Sequence, residues 1–425
     1  MTTQPHIVIV GAGFAGLACA KALGGKAVQV TLIDRQNYHL FVPLLYQVAT
    51  AALSPADIAR PIRRILGAYE NIRILLGEVT GVDTAARTVR LADGDAVPYD
   101  RLVIATGSEY SYFGHPDWAQ LAPGPRTLEQ ARTIRAQLLC AFERAEMAQT
   151  REEQDRLMTT VVVGGGPTGV EMAGSVAELA RHALARDFRR IDPRRARILL
   201  VEAGPRLLPA FPPALSAYAQ AAIERLGVTV MTGQAVEAME RGVVTVAGRR
   251  IEAGTIIWGA GVKASNAGEW LGVALAKDGR VPVERDLSVT GLDGVYVLGD
   301  MALAHDEDGA ALPALAQVAA QQGTHLGKDL AAHLTAGTPL TPFKFQNRGN
   351  TAIVGRNAAV FDFGWLQLKG RFAWLLWALV HIYLLVGFEN RLRVGLGWLW
   401  RYLTYESGAR LIMPPGPAHT ADKRD

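Results

Sequence analysis

An α/β fold with a duplicated strand–turn–helix unit and an amphipathic C-terminal region is what this sequence predicts. The first observation is HIVIVGAGFAGLACAKAL, His6 to Leu23: an apolar strand, a Gly-x-Gly-x-x-Gly turn and an opening helix. The second is TTVVVGGGPTGVEMAGSVAEL, Thr159 to Leu179, which repeats the pattern. The third is a shift in composition near the end of the chain. Five of the eight tryptophans lie between Trp365 and Trp400, interleaved with Leu, Tyr and Arg. Together these predict two Rossmann-like dinucleotide-binding domains followed by a membrane-anchoring region.

Bulk properties agree. A chain of 425 residues suggests two or three domains. The 44 glycines suit an α/β protein with many tight turns. A formal charge of only +4 is no nucleic-acid signature. Two cysteines, Cys19 and Cys140, exclude a disulfide scaffold, a four-cysteine iron–sulfur site and a Cys-x-x-Cys redox motif. A reducing compartment follows. The chain enters a strand at His6 with no signal-peptide pattern ahead of it.

Along the chain, VQVTLID is the second strand of the first unit and ends at Asp34. YDRLVIATGS is a later buried strand ending in a Gly turn. Residues 126–157 are polar and free of Pro and read as a helical connector. The second unit starts at Thr159, and its second strand, RILLVEAG, carries Glu202. TIIWGAGV repeats LVIATGS at the same offset to within one residue, so the duplication extends past the glycine turn. GVYVLGDMA is a strand ending in Gly299-Asp300, and a helix rich in Ala and Gln follows. The expected division is 1–125 and 276–340 for the first dinucleotide domain, 126–157 for the connector, 158–275 for the second domain and 341–425 for the C-terminal strands and anchoring helices. Residues 414–425 read as a frayed end.

A lone Gly-x-Gly-x-x-Gly is weak evidence, because glycines also serve plain turns. Both copies, however, follow a strand, open a helix and are followed by a strand with an acidic end. Gly11 and Gly164 allow the tight turn. Gly13 and Gly166 let backbone approach a pyrophosphate, and Gly16 and Gly169 let helix and strand pack closely. The helix N-termini offer free N–H groups to an anion. Asp34 and Glu202 can accept bonds from ribose hydroxyls. Glu202 lies far beyond the usual ~20 residues from its glycines, displaced by the insertion ARHALARDFRRIDPRRA, read as a helix extension and loop. An acidic residue there repels a 2′-phosphate and favours NADH over NADPH, although Arg206 is close in sequence.

Two nucleotide sites and a Gly-Asp strand end resemble the two-dinucleotide-binding-domain flavoproteins, which implies FAD on the first unit, NAD(P)H on the second and Asp300 beside the ribityl chain. Within that superfamily, disulfide reductases and sulfide:quinone oxidoreductases use cysteines that this chain lacks. Cys19, inside the first helix, reads as a small core residue. The motifs NYHLFVPLLYQVAT, GGGPTGVEMAGSVAEL, LGDMA, LAQVAAQQG and HIYLLVGFENRLRVGLGWLWRYLT are similar to those of type II NADH:quinone oxidoreductases, and the likeness covers nearly the whole chain.

That resemblance implies a single-subunit enzyme passing a hydride from NADH to FAD and two electrons on to a membrane quinone, without proton pumping. It implies FAD along Gly11, Gly13, Phe14, Ala15, Gly16, Asp34, Arg35, Val79, Thr106, Gly107, Asp300 and Gln317. It implies NADH along Gly164, Gly166, Pro167, Thr168, Gly169, Glu171, Glu202 and Gly261. Glu171, Gln317 and Gln321 would serve the reaction itself, Glu171 by positioning the nicotinamide. A respiratory role, a homodimer and a peripheral site on the cytoplasmic face of the cell membrane are further implications. The residues alone leave alternatives. Glu171 could simply complement a helix dipole. Gln317 and Gln321, four apart on one helix face, could be solvated or bond nearby backbone. Pro43, Leu44 and Tyr46, which the resemblance sets along the isoalloxazine, could be apolar core. A ferredoxin-type or sulfide:quinone-like reductase of the same fold, or a membrane-associated NADH-sensing flavoprotein, is the rival reading.

The tail FAWLLWALVHIYLLVGF, residues 372–388, has no formal charge unless His381 is protonated. Beyond it, helical spacing sets Leu392, Leu396 and Leu399 on one face with Arg391 and Arg401 off it. Trp and Tyr favour the headgroup level and Arg attracts anionic lipid. The expectation is an interfacial anchor. A true span of 372–388 and an apolar subunit interface are the alternatives.

Overall fold

The computed structural model describes residues 4–385, 388–404 and 410–412, without the side chains of 388–390 and 401–404. Arg401's side chain and the expected frayed end at 414–425 lie outside the described residues. The chain forms two compact units, Met1–Leu40 with Ala59–Glu109 and Val262–Arg348, and Phe41–Ile58 with Tyr110–Gly261 and Gly349–Asp425.

The first unit is built on a five-stranded parallel sheet, in spatial order Val295–Val297, Arg101–Ile104, His6–Val10, Gln29–Asp34 and Ile72–Leu76. Its strands read as unbroken apolar runs because helices and loops cover both faces. Alternation divides their side chains cleanly. Ile7, Ile9, Val30, Leu32 and Val103 face one core cluster, and Val8, Val10, Ile33, Leu102 and Ile104 the other. The first cluster is closed by helices Phe14–Leu23 and Ala316–Ala336. Small residues let these helices nearly touch. A Cβ on Gly323 would lie 2.1 Å from the carbonyl oxygen of Ala15, and one on Gly327 2.7 Å from that of Cys19. Cys19 is fully buried here, and burial pushes its thiol up to about 12. It is a packing residue, as expected.

The second unit repeats the theme with four parallel strands, in order Val228–Thr232, Arg197–Glu202, Thr159–Val163 and Thr255–Trp258. Helix Pro167–Glu178 follows its glycine turn. An antiparallel sheet of Asn350–Gly355, Ala358–Asp362 and Gln367–Gly370 packs against that helix and the C-terminal helix Arg371–Leu384. The closest point is Gly174, where a Cβ would lie 1.9 Å from the carbonyl oxygen of Val354.

Several boundaries differ from those expected. Residues 41–58, 110–125 and 349 onward pack into the second unit, whereas 262–275 return to the first. The expected connector is two helices, Leu128–Met147 and Arg151–Leu157. The first starts with a capping box between Thr127 and Gln130. It buries Ala131, Ile134, Leu138, Phe142 and Ala145, a helical stripe that makes it part of the second unit's core. Helix Arg371–Leu384 has 14 residues and so runs about 21 Å, short of the ~30 Å hydrocarbon core. No helix among the described residues is long and apolar enough to cross a membrane. His381 is buried and stacked on Trp377 at 4.3 Å, and burial pushes it down to about 4, so it stays neutral.

Gly323→Ala is expected to destabilise the first unit by about 1–3 kcal/mol, because backbone must move to admit the methyl. Gly397→Ala, where nothing lies within 4 Å of the new Cβ, should cost nothing. Denaturant midpoints of the two variants against the parent check this.

Candidate functional site

The first glycine turn links strand His6–Val10 to helix Phe14–Leu23. Gly11 sits at φ +99°, and a Cβ there would lie 2.4 Å from the carbonyl oxygen of Ala105. A Cβ on Gly16 would lie 1.8 Å from the carbonyl oxygen of Gly11. Gly13, the N-cap, has nothing within 4 Å of its Cβ position, and no side chain caps the helix. The result is an open cradle of N–H groups at a positive helix end, suited to a pyrophosphate.

Asp34 braces this cradle. Its Oδ2 accepts from Ala12 N at 2.6 Å and its Oδ1 from Gln36 N at 2.7 Å. Burial raises its pKa, and the two N–H groups and Arg35 oppose that rise. Each carboxylate oxygen keeps a further lone pair for a ribose hydroxyl. His39, which the sequence reading passed over, supports the same turn. Its Nδ1 lies 2.9 Å from the carbonyl oxygen of Ala12, and its ring meets Phe14 edge-on at 5.2 Å.

Other expected FAD residues converge in this unit. A Cβ on Gly299 would lie 3.4 Å from that of Ala15, so the Gly299–Met301 turn abuts the helix start. Ser108 Oγ donates to Asp300 Oδ2 at 2.5 Å, and Thr106 Oγ1 is 2.8 Å from Ser265 Oγ. Gln322, 1% exposed, accepts from Gly299 N at 2.7 Å through its Oε1. Ser108 and Gln322 were not singled out from sequence. The second glutamine of QQG is Gln322, and Ser108 ends the LVIATGS strand already noted. Gly107 takes a left-handed turn at φ +74° next to Thr106. Val79 is half-buried on strand Val79–Asp83, and Arg35 is exposed.

Gln317 and Gln321 do share one helix face, and both amides engage backbone. Gln317 Oε1 accepts from Arg348 N at 3.1 Å. Gln321 donates to the carbonyl oxygen of Gln346 at 2.9 Å and accepts from its N–H at 3.0 Å.

In the second unit Gly164 sits at φ +105°, 2.7 Å from Ala260 N by its Cβ position, and a Cβ on Gly169 would lie 1.7 Å from the carbonyl oxygen of Gly164. Gly166 is the open N-cap, and Pro167 takes the first helical position, where no N–H is needed. Glu202 repeats the brace of Asp34. It accepts from Gly165 N and Gly204 N, both at 2.5 Å. Gly165 is glycine because the Glu202 side chain occupies its Cβ space, at 2.8 Å. Thr168 is half-buried at the second position of the helix. Gly261, at φ +64°, lies under the Phe113 ring, and Phe113 is 66% exposed. Arg206 is spoken for. It donates to the carbonyl oxygens of Phe211 and Pro209, each at 2.7 Å, and to Ser216 Oγ at 2.6 Å.

Glu171 is the fifth residue of its helix, beyond the first turn where the dipole acts, so the dipole account fails. It is half-buried, with Oε1 3.4 Å from Ile353 N on the neighbouring sheet, and burial pushes its carboxyl up to about 8. In the first copy Ala18 holds this place, half-buried beside Gly323.

Leu44 and Tyr46 are buried in the second unit and Pro43 half-buried. Gln47 donates to the Tyr46 hydroxyl at 2.9 Å and accepts from Trp398 Nε1 at 3.1 Å. Trp398 stacks on Trp377 at 5.2 Å. Outward, Phe372, Leu375, Leu379 and Tyr383 are exposed on one helix and Leu392, Leu396, Leu399 and Trp400 on the next.

Comparison with known proteins places this geometry. The pyridine nucleotide-disulphide oxidoreductase family matches residues 5–323. Two type II NADH:quinone oxidoreductases of Mycobacterium tuberculosis, Ndh and NdhA, are 39% and 41% identical to the chain. The matches cover 97% and 92% of this chain and 92% and 86% of those proteins. NDH2 from Plasmodium falciparum, solved in complex with NADH, shares the fold at a TM-score of 0.88 with 21% identity, over 96% of this chain and all of that one. The sulfide:quinone oxidoreductase of Aquifex aeolicus is more distant, at 0.72 and 18% identity over 91% of this chain and 92% of that one. The chain belongs to the type II NADH:quinone oxidoreductases, a branch of the pyridine nucleotide-disulphide oxidoreductase family.

Proposed function

We propose that the chain is a single-subunit FAD enzyme that converts NADH, a quinone and a proton into NAD⁺ and quinol. The observation that carries this is the pair of open glycine cradles, each braced by one carboxylate, in a chain that matches enzymes of that name over more than nine-tenths of its length. The first cradle, with Asp34, Asp300 and Thr106, holds FAD. The second, with Glu202, holds NADH. Bound FAD supplies the redox chemistry, two electrons in from NADH and two out to quinone.

The chain's own residues do the rest. Gly13 and Gly166 leave each helix end free to bind a pyrophosphate. Asp34 and Glu202 hold each turn in shape and face the ribose. A negative Glu202 with Arg206 bonded elsewhere leaves a 2′-phosphate without a cation at this position, which favours NADH over NADPH. Glu171, protonated at neutral pH, positions the nicotinamide as a hydrogen-bond donor and can hold a proton for the reaction. Gln317 and Gln321, kept in place by the backbone at residues 346–348, serve the quinone end.

The exposed leucines and aromatics of the last two helices lie on an anionic membrane surface without crossing it. Arg391, stacked 5.1 Å over Tyr383, adds charge at the headgroup level. This makes the enzyme a peripheral one on the cytoplasmic face, where a lipid-soluble quinone reaches it. A homodimer follows from the same family likeness.

Under anaerobic conditions NADH should bleach the flavin absorbance rapidly, and a soluble quinone should restore it. A sensor would fail one of these steps.

Glu171→Gln should retain FAD yet slow flavin reduction by NADH by about tenfold or more. Its stability profile carries a sign. The native carboxyl binds its proton up to about pH 8 and the unfolded one only to about 4.5, so the parent loses stability as pH rises through that window. The glutamine variant should show a flatter decline between those limits. Parent-like reduction rates would remove Glu171 from the reaction.

Replacing Leu392, Leu396 and Leu399 together by Glu should release the enzyme from anionic vesicles while leaving its flavin bound. Cosedimentation and absorbance read the two outcomes.

A further inference from the structure

A second feature lies at the far end of helix Pro167–Glu178. There the helix widens into a π-turn, Leu179–Ala183, a geometry often found at functional sites. The turn and the loop after it line a cavity of about 400 Å³ with Arg181, His182, Ala185, Arg186 and Arg194. Among the described residues no carboxylate lines it. Nearby acids are engaged elsewhere: Glu178 accepts from Arg356 N, and Asp187 is paired with Arg410. Asp192 lies 3.7 Å from Arg194. Neither Arg181 nor Arg186 forms an ion pair among the described residues. Arg181 Nη2 donates to the carbonyl oxygen of Gly227 at 3.0 Å, while its Nη1 is buried with no hydrogen-bond partner among the described residues.

Arg181, Arg186 and Arg194 bring three guanidiniums to the wall of one cavity, and an oxyanion held there would accept hydrogen bonds from them. We propose that this cavity binds a phosphate group, carried by a free anion or by a lipid headgroup. Guanidinium forks match phosphate oxygens in pairs, and the excess positive charge suits a dianion or a phosphodiester better than a lone carboxylate. The imidazole of His182 responds to the same field. Burial first, and then the charges of Arg356, Arg181 and Arg194, hold its pKa below the usual value. The inference is independent of the reaction, because none of these residues belongs to either glycine cradle.

The test uses the full-length flavoenzyme and two charge-matched double variants, Arg186→Ala/Arg194→Ala and Arg241→Ala/Arg249→Ala. All four side chains are exposed, and the second pair lies in the antiparallel sheet region of the same unit, Arg241 in a turn and Arg249 at the start of strand Arg249–Glu252. Flavin content confirms folding. Inorganic phosphate is titrated by calorimetry, and binding to phosphatidylglycerol vesicles is compared with binding to phosphatidylcholine vesicles. The expected result is saturable binding that weakens at least about tenfold in the first pair and not in the second. If phosphate shows this and the vesicle preference does not, a free anion is the source. If the phosphatidylglycerol preference depends on the first pair and phosphate competes with it, a lipid headgroup is. Equal losses in both pairs, or no saturable binding in either arm, would overturn the site.

Discussion

Everything in this protein that handles a nucleotide depends on one steric constraint: a helix must begin almost in contact with the strand that precedes it. At Gly16 and at Gly169 a single methyl group would collide with the carbonyl of the turn's first glycine. Only that closeness aims a helix end at the space above the sheet. The carboxylates of Asp34 and Glu202 then hold the loop in shape by bonding its backbone, at Ala12 and at Gly165. The two units solve the same problem with the same parts, and the rest of each unit can be read as support for its turn.

The two copies also differ in what their helices pack against. The first helix is pressed against Ala316–Ala336 through small residues, and Ala18 belongs to that seam. The second helix meets the sheet strand Asn350–Gly355 instead. Its close approach is at Gly174, which leaves Glu171 space at the edge of the contact. A carboxylate stands in one copy where a methyl stands in the other. Its raised pKa follows from that same partial enclosure.

The cradles, the acidic strand ends and the buried strands were legible in the sequence because each depends on local spacing, whereas the bonds by which those acids brace the turns were not. Glycine at a fixed offset from a strand, and an acid at the end of the next strand, carry their own geometry. What stayed hidden depended on distant pairings. Nothing local links Gln322 to Gly299 or His39 to Ala12. The helix at 128–147 looked like a polar connector because its charged face outnumbers its apolar stripe, and only tertiary packing shows which face counts. Arg206 looked like a possible phosphate ligand until its three acceptors were seen. His381 looked titratable in a sequence window and is held neutral by its surroundings.

The stack of His381, Trp377 and Trp398, tied through Gln47 to Tyr46, has a consequence for how the molecule meets a surface. An arm joined to its body by a loose hinge would let the body tumble while the arm stayed adsorbed. Here aromatic planes and a relay of amide and hydroxyl bonds fasten the amphipathic helices to the second unit. Adsorption would therefore fix that unit's bearing against the interface. A quinone diffusing in the lipid plane would then meet it in one attitude at every encounter, and a search in three dimensions would become one in two.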